Sequence, residues 1–178
     1  MGKKVLVLAG SPRKGGNSDL LCDGFIRGAE EAGHTAEKIY LQDLKIGFCR
    51  ACYGCRQTGK CVQKDDMDAL LDKMVAADVI VLATPVYFYS MDGQMKTLID
   101  RTLPRYTEMK NKQLYLIATA AAGARAMERT MDALQGFADC LPGAVVKGKI
   151  YGSGVYQKGE VQGTKVWKEA YESGRKLA

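Results

Sequence analysis

Histidine is almost missing from this chain: among 178 residues, only His34 carries an imidazole. One imidazole leaves no ligand set for a histidine-based zinc hydrolase, and any Ser-His-Asp or Cys-His arrangement would have to use that single ring. His34 follows Gly33 at the expected end of a helix, where a C-terminal residue facing the helix dipole is the simplest reading. Chemistry in such a chain falls to a cofactor. Long apolar runs are lacking too. The run near the start, residues 5–9, is five residues long, far below the roughly 18 of a membrane span. It is also too short for a signal-peptide core, despite Lys3 and Lys4 before it. Gly2 does not open a myristoylation pattern, because Leu6 stands where Ser or Thr is needed. A cytosolic chain without a membrane partner is expected.

What is present is ordinary for a globular protein: 47% apolar and 26% charged residues. The length suits one domain, residues 1–178, able to bury roughly 70% of its unfolded surface. Lys and Arg total 26 against 20 Asp and Glu, a net charge of +6 that favours anionic partners. The distribution is uneven. Residues 45–64 hold five cations (Lys45, Arg50, Arg56, Lys60, Lys64), no anion and four of the six cysteines.

Strand and helix patterns alternate from end to end, with no repeat, low-complexity stretch or linker. Strands are expected at residues 3–9, 35–41, 78–83, 112–120 and 144–151. Helices are expected at 18–32, 65–77, 91–103, 124–140 and 161–177. This alternation predicts an α/β fold, a five-stranded parallel sheet with helices on both faces. Ligands of such sheets sit beyond the carboxyl ends of the strands, at the switch in strand order.

The loop after the first strand reads Gly10-Ser11-Pro12-Arg13-Lys14-Gly15-Gly16-Asn17-Ser18. It starts like a Walker loop, but Gly16-Asn17 replaces the Lys-Ser/Thr pair, which argues against an NTPase, and no dinucleotide fingerprint is present. Backbone N–H groups at a helix N-terminus, with Ser11, Arg13, Asn17 and Ser18 beside them, suit one terminal phosphate. The plainer alternative is a polar turn with Asn17 or Ser18 as N-cap. After the third strand, Thr84-Pro85-Val86-Tyr87-Phe88-Tyr89-Ser90 puts three aromatics on a loop tip, as needed to cover a flat ring or to form a subunit contact. The small residues of 119–123, Ala120 among them, would let backbone approach that ring. Cys49, Cys52, Cys55 and Cys61 follow C-x2-C-x2-C-x5-C within thirteen residues. That spacing points first to iron–sulfur ligation of the 4Fe-4S type, with zinc or metal-free thiols as alternatives. Cys22 and Cys140 fall in expected helices as packing residues.

With these motifs in view, the segments GSPRKGGNSDLL, CRACYGCRQTGKCVQKDDM and TPVYFYSMDGQMKTLIDR resemble the NADPH-dependent FMN reductase-like flavoproteins, and within them the iron–sulfur flavoprotein branch. The resemblance implies a flavodoxin-like fold with strand order 2-1-3-4-5. It implies FMN held through its phosphate by Ser11, Arg13, Asn17 and Ser18. Pro85, Val86, Tyr87 and Phe88 would line the isoalloxazine and ribityl chain, with Ala120 opposite. It implies a 4Fe-4S cluster on Cys49, Cys52, Cys55 and Cys61, NAD(P)H or a redox carrier protein as donor, a small-molecule acceptor, and a homodimer or homotetramer. The alternatives are a cluster-free NAD(P)H-dependent FMN or quinone reductase and a non-enzymatic flavodoxin-like carrier. Carriers of that type are usually acidic, whereas this chain is basic. The basic C-terminal segment carries no nucleic-acid recognition motif and reads as a solvated helix face.

Overall fold

The computed structural model describes residues 2–177. First come β1 (Lys4–Ala9), α1 (Asn17–Glu31) and β2 (Thr35–Tyr40), then a one-turn helix α2 (Cys55–Thr58) and α3 (Met67–Ala76). The middle is formed by β3 (Val79–Tyr87), a two-residue β4 (Ser90–Met91) and α4 (Gly93–Arg101). β5 (Gln113–Ala120), α5 (Glu128–Asp139), β6 (Val145–Ser153) and α6 (Lys165–Arg175) follow. The sheet runs β2-β1-β3-β5-β6 with all four pairings parallel, and β4 pairs antiparallel with β3. This is a flavodoxin-like α/β fold.

The two-residue period of the strands divides their side chains between two cores. Leu6, Leu8, Ile80, Leu82, Leu114 and Leu116 pack on one face with Met67, Leu71 and Met74 of α3, Met95 and Leu98 of α4, and Leu134 of α5. Val5, Val7, Val79, Val81, Tyr115 and Ile117 pack on the other with Leu21, Phe25 and Ala29 of α1 and Ala170 of α6. Because both faces are covered, β1 reads as a continuous apolar run rather than an alternating one. The chain leaves β1 toward α1 on one face and leaves β3 toward α4 on the other. The carboxyl ends of these neighbouring strands are therefore where a crevice opens.

Three boundaries depart clearly from the sequence expectation. The third strand does not stop at residue 83 but continues through Pro85 to Tyr87 and folds back as β4, adding a sixth strand among the described residues. Pro85 is tolerated because its nitrogen faces the side of β1, whose pairing with β3 ends at Ala9 opposite Ala83. The turn between β3 and β4 places Phe88 and Tyr89 at φ 50° and 63°, the conformation usually given to Asn-Gly. Residues 124–127 form a separate turn of 3₁₀ helix before α5. The last helix begins at Lys165 rather than 161, where the Thr164 side chain accepts from Trp167 N–H. His34 does more than end a helix: its Nδ1 accepts from Lys3 N–H at 3.0 Å, and its Nε2 lies 3.1 Å from the Leu177 carbonyl. The two contacts together require the Nε2–H tautomer, and they tie the start of β1 to the chain's last described residue.

Helices α1 and α6 touch backbone to backbone. A β-carbon on Gly28 would lie 2.0 Å from the Tyr171 carbonyl oxygen, and one on Gly174 would lie 2.0 Å from that of Phe25. Ala gains about 1 kcal/mol over Gly in helix propensity, but a carbonyl in a packed helix cannot move aside. Gly28→Ala and Gly174→Ala are therefore expected to lower unfolding free energy in urea by about 1–3 kcal/mol each.

Candidate functional site

The sequence Gly15-Gly16-Asn17 turns the chain from β1 into α1 without a side-chain cap. Gly16 is the N-cap residue, and no side chain accepts from the first turn. Backbone N–H groups and the positive end of the helix dipole are thus left facing the sheet's carboxyl edge, where an anion is favoured. Neither Asn17 nor Ser18 serves as N-cap. The amide of Asn17 is spent across the fold instead: Nδ2 donates to the Gln157 carbonyl at 2.8 Å, and Oδ1 accepts from Val161 N–H at 3.2 Å. Ser11 Oγ accepts from Arg13 N–H at 3.1 Å, which bends the loop back on itself.

Around this edge lies a cleft of about 190 Å³. Ser11, Arg13, Asn17 and Ser18 form one side, Pro85, Val86 and Tyr87 another, and Ala120 with Thr119 a third. Eight of the nine residues expected to bind a cofactor therefore share one cleft. The ninth, Phe88, is fully exposed at the tip of the β3–β4 turn and does not line it. Val155 and Tyr156, just after β6, complete the wall and were not anticipated. Nor was Lys158, whose side chain crosses Gly15 so closely that a β-carbon there would meet its Cε at 2.7 Å.

Two buried carboxylates brace the loops that border the cleft. Asp19, in the first turn of α1, accepts from Gly15 N–H at 2.6 Å and is paired with Lys38 at 2.6 Å. Asp92 caps α4 by accepting from Met95 N–H at 2.8 Å. Its other oxygen lies 2.8 Å from the Thr84 hydroxyl, and the carboxyl packs against Gly10. Burial pushes the Asp92 carboxyl above the usual carboxylate range, only partly offset by the Met95 N–H and the Thr84 hydroxyl.

The cysteine loop hangs beside α4. Its two ends are fastened by Lys45 N–H to Asp66 (2.7 Å), Gly47 N–H to Asp65 (3.0 Å) and Gln63 Nε2 to the Phe48 carbonyl (3.0 Å). Between them, Ala51 and Tyr53 take φ of 49° and 56°, and α2 ends at Gly59. Cys49, Cys52, Cys55 and Cys61 all line one cavity of about 20 Å³. Among the described residues no three of His, Cys, Asp or Glu converge as for a single metal ion. Four thiols around one cavity match in number and chemistry the donors a cubane cluster would need, and Arg101, which lines the same cavity, has a buried Nε without an acceptor. The donors present fit such a group. Of the two cysteines expected to pack, Cys22 is buried, and its thiol is pushed up by desolvation. Cys140 is exposed, because α5 ends at Asp139 and leaves it on the rim of an apolar groove that Cys49 also lines.

An uncapped helix at the switch point of a doubly wound sheet, with aromatics rising from the neighbouring strand, is the ligand edge of a flavodoxin-like α/β protein. The family model described as NADPH-dependent FMN reductase matches residues 3–157, and the chain belongs to that family. An iron-sulfur flavoprotein of Methanocaldococcus jannaschii is 36% identical over 136 residues, 75% of this chain and 70% of that protein. One from Archaeoglobus fulgidus is 42% identical over 101 residues, 57% of this chain, which spans 46% of that protein's length. The structure of an FMN-dependent NADH-azoreductase from Bacillus anthracis in complex with FMN shares the fold, with TM-score 0.76, 16% identity and coverage of 96% and 97%. No helix among the described residues is long and apolar enough to cross a membrane.

Asp92→Ala removes a helix cap and a buried acceptor together, and is expected to destabilise the protein by about 1–3 kcal/mol. Asp92→Asn retains an oxygen for Met95 N–H, and the Thr84 hydroxyl can turn to the Pro85 carbonyl 2.8 Å away. It should stay within about 0.5 kcal/mol of the parent at pH 7. Urea unfolding of both variants checks the pair.

Proposed function

We propose that this protein is an FMN-dependent reductase linked to NAD(P)H or to a ferredoxin-like carrier, with a 4Fe-4S cluster on Cys49, Cys52, Cys55 and Cys61 as its second redox centre. When bound, FMN supplies exchange between two-electron and one-electron chemistry, and the cluster supplies single-electron steps. The observation that carries this reading is the gathering of Ser11, Arg13, Ser18, Pro85, Val86, Tyr87 and Ala120 around one uncapped helix N-terminus.

The chain's own residues then have distinct tasks. Backbone N–H groups of the first turn of α1 and the Ser11 and Ser18 hydroxyls would donate to a phosphate as neutral groups, while Arg13 and Lys158 would offset its charge. Asn17 holds the 157–161 segment over the loop rather than spending its amide on the phosphate. Pro85, Val86 and Tyr87 offer a flat apolar edge, and Thr119, Ala120 and Ala121 are small enough for close backbone approach. Asp19 and Asp92 keep the two loops in register from beneath. The exposed Tyr87, Phe88, Tyr89 and Tyr156 form an aromatic rim of the kind enriched at subunit contacts, which suits a homodimer or homotetramer. The acceptor is a small molecule or a carrier protein, and reduced cytoplasm suits six free cysteines.

Anaerobically purified protein should release one FMN per chain on acid denaturation and contain roughly four iron and four acid-labile sulfide. FMN without iron or sulfide would leave the flavin reading standing and remove the cluster. Neither FMN uptake nor iron would remove both. Arg13→Ala should raise the FMN dissociation constant about 10- to 100-fold, the worth of one hydrogen bond to a charged group. Riboflavin binding, followed by flavin fluorescence quenching, should be unchanged.

A further inference from the structure

Arg101 ends α4 directly beside the cysteine loop, and its side chain is only 1% exposed. Nη1 donates to Asp65 Oδ2 at 2.7 Å and to the Gly47 carbonyl at 2.6 Å, and Nη2 donates to Asp65 Oδ1 at 2.9 Å. Asp65 also accepts from the N–H groups of Gly47 and Met67, at 3.0 and 3.2 Å. The guanidinium thus joins both ends of the loop that carries Cys49, Cys52, Cys55 and Cys61. Its charge is already matched by one carboxylate in bidentate geometry.

These bonds use three of the five N–H groups of the guanidinium, and Nε is the one nitrogen left without a partner. Arg101 Nε is buried and has no hydrogen-bond partner, and buried donors without acceptors are rare enough in folded proteins to require a reason. Arg101 lines the same cavity as the four cysteines. Its guanidinium is stabilised first by Asp65 and also by the nearby Cys61 sulfur. A neutral thiol is a poor acceptor, whereas a thiolate is a strong one.

We infer that Arg101 is a positioning residue for the second redox centre, its spare N–H reserved for the cysteine sulfur beside it, that of Cys61, once that sulfur is a metal-bound thiolate. This rests on the cluster reading above and adds the residue that sets the cluster's environment. Fastening the loop is the structural part of the role. The part specific to redox chemistry is the hydrogen bond to ligand sulfur, which favours the more negatively charged reduced state and raises the reduction potential. Because Asp65 offsets the guanidinium charge, the effect comes from the N–H dipole at Cys61 rather than from net charge.

The test compares full-length, FMN-loaded parent protein with Arg101→Lys, both prepared anaerobically. Lysine keeps the charge against Asp65 but loses the planar fork and its spare N–H. Iron and sulfide are assayed first, and the cluster is then titrated by EPR-monitored potentiometry. The inference predicts iron and sulfide in both proteins, with the cluster of the variant titrating at a more negative potential and its FMN content unchanged. A purely structural clasp would lower iron loading but leave the potential of the loaded fraction where it was, and that result overturns the inference. Absence of iron and sulfide from the parent protein overturns it together with the cluster reading, and is told apart because no potential exists to compare. Should Arg101→Lys fail to fold, an R50K/R56K background labelled with ¹⁵N-arginine replaces it. A ¹⁵N coupling to the reduced cluster in pulsed EPR supports the inference, and its absence overturns it.

Discussion

The first turn of α1 has glycine at its N-cap, so its leading backbone N–H groups receive no side-chain cap among the described residues. A helix end in that condition needs water or an anion, and the rest of the architecture can be followed from where this end is held. Gly28 and Gly174 let α1 and α6 meet backbone to backbone, which fixes the position of α1 against the sheet. Asp19 restrains Gly15, and Asn17 draws in the segment after β6. The uncapped turn therefore stands between the carboxyl ends of β1, β3 and β5 with walls on three sides. A shift of α1 by an ångström would spoil all of these relations together.

The cysteine loop obeys a different constraint. It has no apolar core of its own, and Phe48, Tyr53 and Val62 remain exposed. Its order comes from its base, where Asp65, Asp66, Gln63 and Arg101 pair with backbone groups on the incoming strand of the loop. Polar fastening of this kind leaves the tip free to follow whatever the thiols bind. It also explains how two non-glycine residues, Ala51 and Tyr53, can be kept at positive φ, a conformation that costs about 1 kcal/mol or more each.

Much of this was legible in the residues. The apolar runs of β1, β3 and β5 and the four-residue spacing in α1 fixed an alternating α/β order, and that order located the ligand edge. Eight of the cleft's residues then followed from loops adjacent to those strands. What escaped depended on contacts between distant segments: Val155, Tyr156 and Lys158 reach the cleft only because β6 is parallel to β5 and Asn17 ties down residues 157–161. Asp92 was expected inside a helix spanning 91–103; the β3–β4 hairpin takes Met91 and leaves Asp92 as the cap of α4, packed against Gly10. The hairpin itself was hidden because Pro85 reads as a strand terminator, although here its nitrogen faces a neighbour that has already ended. Arg101 carried no signal, since a basic residue at a helix C-terminus is the ordinary choice.

Recognition of a phosphomonoester by the open end of α1 is the claim on which the reading of the site rests. Its most direct test is the ratio of dissociation constants for riboflavin and FMN, measured on the flavin-free protein by fluorescence quenching. Several backbone and side-chain donors closing on one phosphate predict a preference for FMN of about 100-fold or more. Equal affinity for the two flavins would contradict it.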